Sequence, residues 1–122
     1  MLSGDFFTIS SMEMAEASAK VVLELNPGHQ IFEGHFPGMP VVPGVCMMQM
    51  VHEIMEKITN TSLLLSKADL MKFLVVINPL GDKIVNVDLS YKAMDDRSFA
   101  VNANLSANGV ICFKFKGVFA RG

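Results

Sequence analysis

Apolar and polar residues alternate with a period of two over most of this chain, and one long stretch in the middle switches to a helical period. Phe6 to Met14 reads as a strand, Ala15 to Ser18 as a turn, and Ala19 to Asn26 as a second strand with Ala19, Val21, Leu23 and Leu25 on one face. Further on, Val85, Val87, Leu89, Tyr91 and Ala93 alternate with Asn86, Asp88, Ser90 and Lys92. Phe99, Val101, Ala103 and Leu105 alternate in the same way with Ala100, Asn102, Asn104 and Ser106. Each is the pattern of an antiparallel strand with one face on a core and the other toward water. Asp95-Asp96-Arg97 turns the chain between these two, and Asn108-Gly109 is a two-residue hairpin signal leading into a last strand from Val110 to Ala120. The apolar segment Ala68 to Ile77 is expected to be one more strand.

Gly34 to Val45, Gly-His-Phe-Pro-Gly-Met-Pro-Val-Val-Pro-Gly-Val, holds three prolines and three glycines in twelve residues. Proline fixes φ and lacks a donor, and glycine takes up conformations other residues avoid, so this run is neither helix interior nor central strand. Pro27 to Val42 is therefore expected as loop, Pro43 as the opening of a helix, and Gly44 to Ile58 as the one long helix. Its first half is apolar almost all round, which predicts burial on most sides, as for a helix wrapped by a sheet. Gln49, Glu53, Glu56 and Lys57 fall at i, i+4, i+7 and i+8 and form one polar stripe. The resulting order, β-β-α-β-β-β-β, is α+β, and periodicity leaves the arrangement within that class open.

At 122 residues the chain is expected to form a single domain, 1–122, with one modest core. Hydrophobic residues make up 51%, and the mean hydropathy of +0.39 is high for a small monomer, so burial between subunits is expected. The net charge of −2, with no run of Lys or Arg, argues against nucleic acid and anionic membranes as partners. There is no apolar run near the roughly 18 residues that span a bilayer and no basic start of a signal peptide, so the expected location is cytoplasmic. Cys46 and Cys112 sit in apolar contexts and read as buried free thiols, although a helix N-terminus near Cys46 could activate it as a nucleophile. His29 and His35 are isolated, and His52-Glu53-Ile54-Met55-Glu56 lacks the second histidine of a zinc helix, so neither metal nor cofactor is expected.

Gly34-His35-Phe36-Pro37-Gly38, followed by Pro40, Pro43-Gly44-Val45 and a helix, resembles the signature of the (3R)-hydroxyacyl-[acyl-carrier-protein] dehydratases of fatty-acid synthesis, of the FabZ and FabA type. Lys72-Phe73 through Pro79, Gly81 and Asp82 resembles the family's second signature, with Leu80 as a one-residue insertion. The resemblance implies a hot-dog fold, a curled antiparallel sheet wrapped around one long central helix. It also implies loss of water from a 3-hydroxyacyl thioester to give the trans-2-enoyl thioester. The implied partner is an acyl carrier protein bearing a phosphopantetheine-linked acyl chain, and the implied assembly a homodimer or trimer of dimers. His35 matches the family's base, and imidazole titrates in the range such a base needs. Gly44 matches the residue whose backbone N–H, at the head of the helix, faces the developing oxyanion. Phe36 and the neighbouring prolines and glycines are expected to aim His35, and Val45, Met48 and Met50 to line either core or acyl tunnel.

One position departs from the pattern. Fourteen residues after His35, where the family carries its acid, stands Gln49, and one turn later stands Glu53. Glu53 could act as the acid with Gln49 orienting substrate, or be a solvated charge paired with Lys57. The chain could instead have lost catalysis and bind acyl carriers, or form a heterodimer in which a sister subunit supplies the acid to His35. A hot-dog acyl-thioesterase, with Glu53 activating water, is a further reading.

Overall fold

The alternating segments pair into one six-stranded antiparallel sheet curled around a helix. In the computed structural model, which describes residues 2–34 and 41–122, the elements are β1 (Phe7–Met14), β2 (Ser18–Leu25), α1 (Ile31–Gly34), α2 (Gly44–Thr59), β3 (Leu63–Phe73), β4 (Ile84–Ala93), β5 (Ser98–Ala107) and β6 (Val110–Arg121). The strand order is β1-β2-β4-β5-β6-β3. His35, Phe36, Pro37, Gly38 and Pro40 lie outside the described residues.

The register shows why the alternation matters. Leu23 lies opposite Val85, Val87 opposite Leu105, and Leu105 opposite Phe113, all of them buried. Cross-strand neighbours share a face, so the apolar sets of four strands merge into one concave surface. Met47, Met50, Val51, Ile54 and Met55 of α2 fill it. Each such side chain contributes about 1.5–3 kcal/mol by leaving water. This is the hot-dog architecture the resemblance implied. No described helix is long and apolar enough to cross a membrane.

Turn chemistry follows the sequence. Asn108 (φ 52°) and Gly109 (φ 76°) both take the left-handed conformation that a two-residue hairpin turn requires. Between β4 and β5, one Asp95 carboxylate oxygen accepts hydrogen bonds from the Arg97 N–H and the Ser98 hydroxyl, which holds its carboxyl below the usual carboxylate range. Asn60 ends α2 in the left-handed conformation, with its N–H on the Glu56 carbonyl.

Four expectations need correction. Pro43 is the residue before the first helical one rather than the first itself. The expected loop from Pro27 contains one helical turn, α1, because Phe32 is buried against Phe6 and the Ile31 N–H donates to His29 Nδ1. That bond leaves the ring hydrogen on Nε2, which donates to Asp5. The third strand starts at Leu63, five residues before its expected start, and ends at Phe73. Beyond it the chain leaves the sheet toward the head of α2, where the Val42 N–H meets the Ile77 carbonyl. Finally, the first half of α2 is not buried all round, since Val45 is 76% exposed.

Candidate functional site at the head of the central helix

Gly44 opens α2 at the positive end of the helix dipole; the N–H groups of Cys46 and Met47 donate to the Pro43 carbonyl, so a group bound at this end would meet those of Gly44 and Val45. The ring of Phe73, at the end of β3, lies over it. A Cβ on residue 44 would come within 2.9 Å of that ring, so any other residue here would push the ring aside. Phe73 is held in turn by stacking on Phe113, ring centroids 4.8 Å apart. Around them Val41, Val42, Pro43, Met47, Leu74, Val75 and Val76 line an apolar cleft of about 370 Å³ with Gly44 in its wall. An apolar cleft that ends at a helix N-terminus can take an apolar chain with an oxygen acceptor at its end.

The residues chosen from sequence distribute unevenly around this cleft. Gly44 lines it; Val45, exposed, and Met48, half-buried, do not, and Met50 is core. Met47 and Phe73 do line it and were missed as lining residues. The signal for Phe73 was present, since it opens the second signature segment. Leu80, the apparent insertion in that segment, sits exposed in a turn closed by Asn78, whose carbonyl accepts from Gly81 and Asp82 and whose side chain accepts from Leu80. His35 and Phe36 are nine and eight residues before Gly44, outside the described residues.

Gln49 and Glu53 form a unit of their own. Glu53 is 4% exposed, so it is neither solvated nor paired with Lys57, and its carboxylate is held by N–H groups. Oε2 accepts from the Leu2 N–H at 2.8 Å and from Gln49 Nε2 at 3.0 Å; Oε1 accepts from the Ser3 N–H at 2.9 Å. A second cavity, about 540 Å³, at the other half of α2 is lined by Glu53 and Ser3 together with Phe7, Ile9, Ile54, Lys57 and Thr61. It is larger than the cleft at Gly44 but has no helix N-terminus in its wall. The smaller cleft is therefore the stronger candidate for the chemistry.

Burial pushes both thiols up, Cys46 by desolvation alone and Cys112 chiefly by desolvation, against the activated-nucleophile reading of Cys46. On the outer face of the sheet the register does what the linear sequence did not. Lys72 lies directly opposite Lys114, and Lys116 is the next outward residue of β6, so Lys72 joins two lysines some forty residues away in the chain. None of the three forms an ion pair among the described residues, whereas Lys67 pairs with Asp69 at 3.1 Å. Phe73 and Phe113, the pair beneath, connect this face to the cleft.

Comparison with known proteins places these features in context. The model of the ApeI-like family, described as ApeI dehydratase, matches residues 11–112. None of the curated proteins compared matches the sequence. Among solved structures, the dehydratase heterocomplex ApeI:P from Xenorhabdus doucetiae is 21% identical and superposes with a TM-score of 0.74, covering 93% of this chain and 96% of that one. A hypothetical thioesterase with coenzyme A from Streptococcus pneumoniae is 8% identical, TM-score 0.70, covering 95% and 85%. PaaI from the phenylacetic acid degradation operon of E. coli is 16% identical, TM-score 0.66, covering 95% and 79%. These likenesses share the fold.

Proposed function

The chain belongs to the ApeI-like dehydratase family, and from that premise we propose that it takes part in eliminating water from a 3-hydroxyacyl thioester carried on an acyl carrier protein. The observation that carries this reading is the apolar cleft with Gly44 at the head of α2 in its wall. The thioester oxygen accepts from the N–H groups of Gly44 and Val45, which stabilise the negative charge that builds as the C2 proton leaves. His35 takes that proton. The C3–O bond breaks as a double bond forms between C2 and C3, and the hydroxyl leaves as water after receiving one proton.

Gln49 can hydrogen-bond the hydroxyl but has no titrating proton to give it, and a positioned acid is worth about 10²- to 10⁴-fold. We assign that acid to a second hot-dog subunit. The two edges of the sheet support this. β1 exposes mostly polar residues, as a protected edge does. β3 and the segment after it expose Leu64, Leu70, Phe73, Val75 and Val76, and Val45 of α2 is exposed as well. The heterocomplex of the ApeI:P structure is a precedent for such pairing. The thioesterase reading loses its carboxylate, because Glu53 is engaged by N–H groups of its own chain.

The test is turnover of a 3-hydroxyacyl carrier-protein thioester by the chain alone and mixed with candidate hot-dog partners, following enoyl product and free thiol together. Enoyl formation that appears or rises at least 100-fold on mixing, the low end of what an acid supplies, is the expected result. Thiol release without enoyl product, or no reaction in any mixture, would overturn the reading.

A further inference from the structure

We propose that Phe73 is a specificity-determining residue whose ring rejects acyl thioesters branched at C2, the carbon next to the thioester carbonyl. This rests on the reading of the cleft at Gly44 as the acyl site and names what that site turns away. A carbonyl oxygen held by the Gly44 and Val45 N–H groups has C2 two bonds from it, so C2 lies against the head of α2. The Phe73 ring occupies that place. Its Cε1 and Cζ atoms lie 2.9 and 3.0 Å from where a single carbon on Gly44 would stand, so the gap between helix and ring is narrower than one methyl group.

Backbone and ring are both held. Phe73 lies opposite Phe113 at the last register position of β3, and the next two N–H groups, those of Leu74 and Val75, both donate to the Cys112 carbonyl. Phe113 is fully buried, and the two rings stack with 25° between their planes. The Phe73 ring is 51% exposed, so it has room to swing outward, but only by giving up that stack. An aromatic pair is worth up to about tenfold in an equilibrium, and this sets the size of the discrimination. The other side chains that line the cleft are aliphatic, with Met47 the most adaptable of them, so a branch remote from the thioester meets no comparable obstacle.

The experiment measures, by calorimetry, binding of three inert probes to the full chain in the assembly it forms. The probes are acyl pantetheine amides of equal carbon number: unbranched, methyl-branched at C2, and methyl-branched at the chain end. The wild type is expected to bind the C2-branched probe about tenfold more weakly than the unbranched one, and the end-branched probe as well as the unbranched one. Phe73→Ala is expected to bind all three alike. Phe73→Leu keeps the wall apolar but cannot stack, and at a half-exposed strand end it folds where alanine does not; it is expected to lose most of the discrimination. A tenfold difference that persists in either folded variant overturns the proposal, as does a wild type that binds the C2-branched and unbranched probes equally. A wild type that binds none of the probes overturns it together with the acyl reading of the cleft. Discrimination that follows residue 73, with no enoyl product from any 3-hydroxyacyl thioester, supports the proposal and counts against the dehydratase reading alone.

Discussion

At the scale of single residues, the proposed chemistry turns on position 49. Gln49→Glu puts a second carboxylate within hydrogen-bond reach of Glu53, and two carboxylates at that spacing share one proton. That proton is what general acid catalysis requires, so the isolated variant should gain dehydration by about 10²-fold or more. The gain should fall as pH rises and the shared proton is lost, and an assay of rate against pH for wild type and variant checks both points. The cysteines give a second prediction with a definite sign. Burial raises both thiols, so their contribution to stability is fully present below the thiol pKa of the unfolded chain and is lost as pH rises through the folded value. Melting temperature should drop above about pH 8.5, and at pH 8 iodoacetamide should label the unfolded chain far faster than the native one.

At the scale of elements, β3 is the informative strand. Its apolar residues read as strand, but its limits did not, because Leu63 is placed by partners remote in sequence. Glu56 Oε2 accepts the Leu63 N–H at 2.9 Å and His52 Nε2 donates to the Leu63 carbonyl at 2.6 Å, which latches the start of β3 to α2. β3 then runs along β6 with two bulges, and Gly117 lies opposite Ala68 at one of them. A Cβ there would meet the Lys67 carbonyl oxygen and come within 2.6 Å of the Phe115 ring. Backbone yields poorly, so Gly117→Ala should cost about 1–3 kcal/mol, measured as a lower denaturation midpoint. Gly44→Ala meets only the Phe73 side chain and should cost less stability than Gly117→Ala.

At the scale of the whole molecule, the basic row on β3 and β6 makes a prediction that local sequence could not. Like charges placed directly opposite across two strands are unfavourable by a few tenths of a kcal/mol, and an acidic carrier domain docked there would offset the repulsion. Lys72→Glu with Lys114→Glu should raise KM for carrier-bound substrate at least tenfold and leave KM for the pantetheine substrate unchanged. Equal KM changes for both would remove the carrier from this face. The alternation of Val85 to Ala93 and Phe99 to Leu105, the Asn108-Gly109 turn and the helix from Gly44 were legible in sequence, since each depends on neighbours a few residues away. The loop motif around His35 and the second signature at Phe73 pointed to a dehydratase family of the hot-dog fold, and the family shown is the ApeI-like one. Tertiary structure alone decided that Phe73 roofs Gly44, that Lys72 joins Lys114 and Lys116, and that Glu53 is buried on Leu2 and Ser3 rather than exposed beside Lys57. Each of these joins residues distant in the chain, and a helical stripe or a strand period records which face a side chain is on but not what the fold brings to meet it.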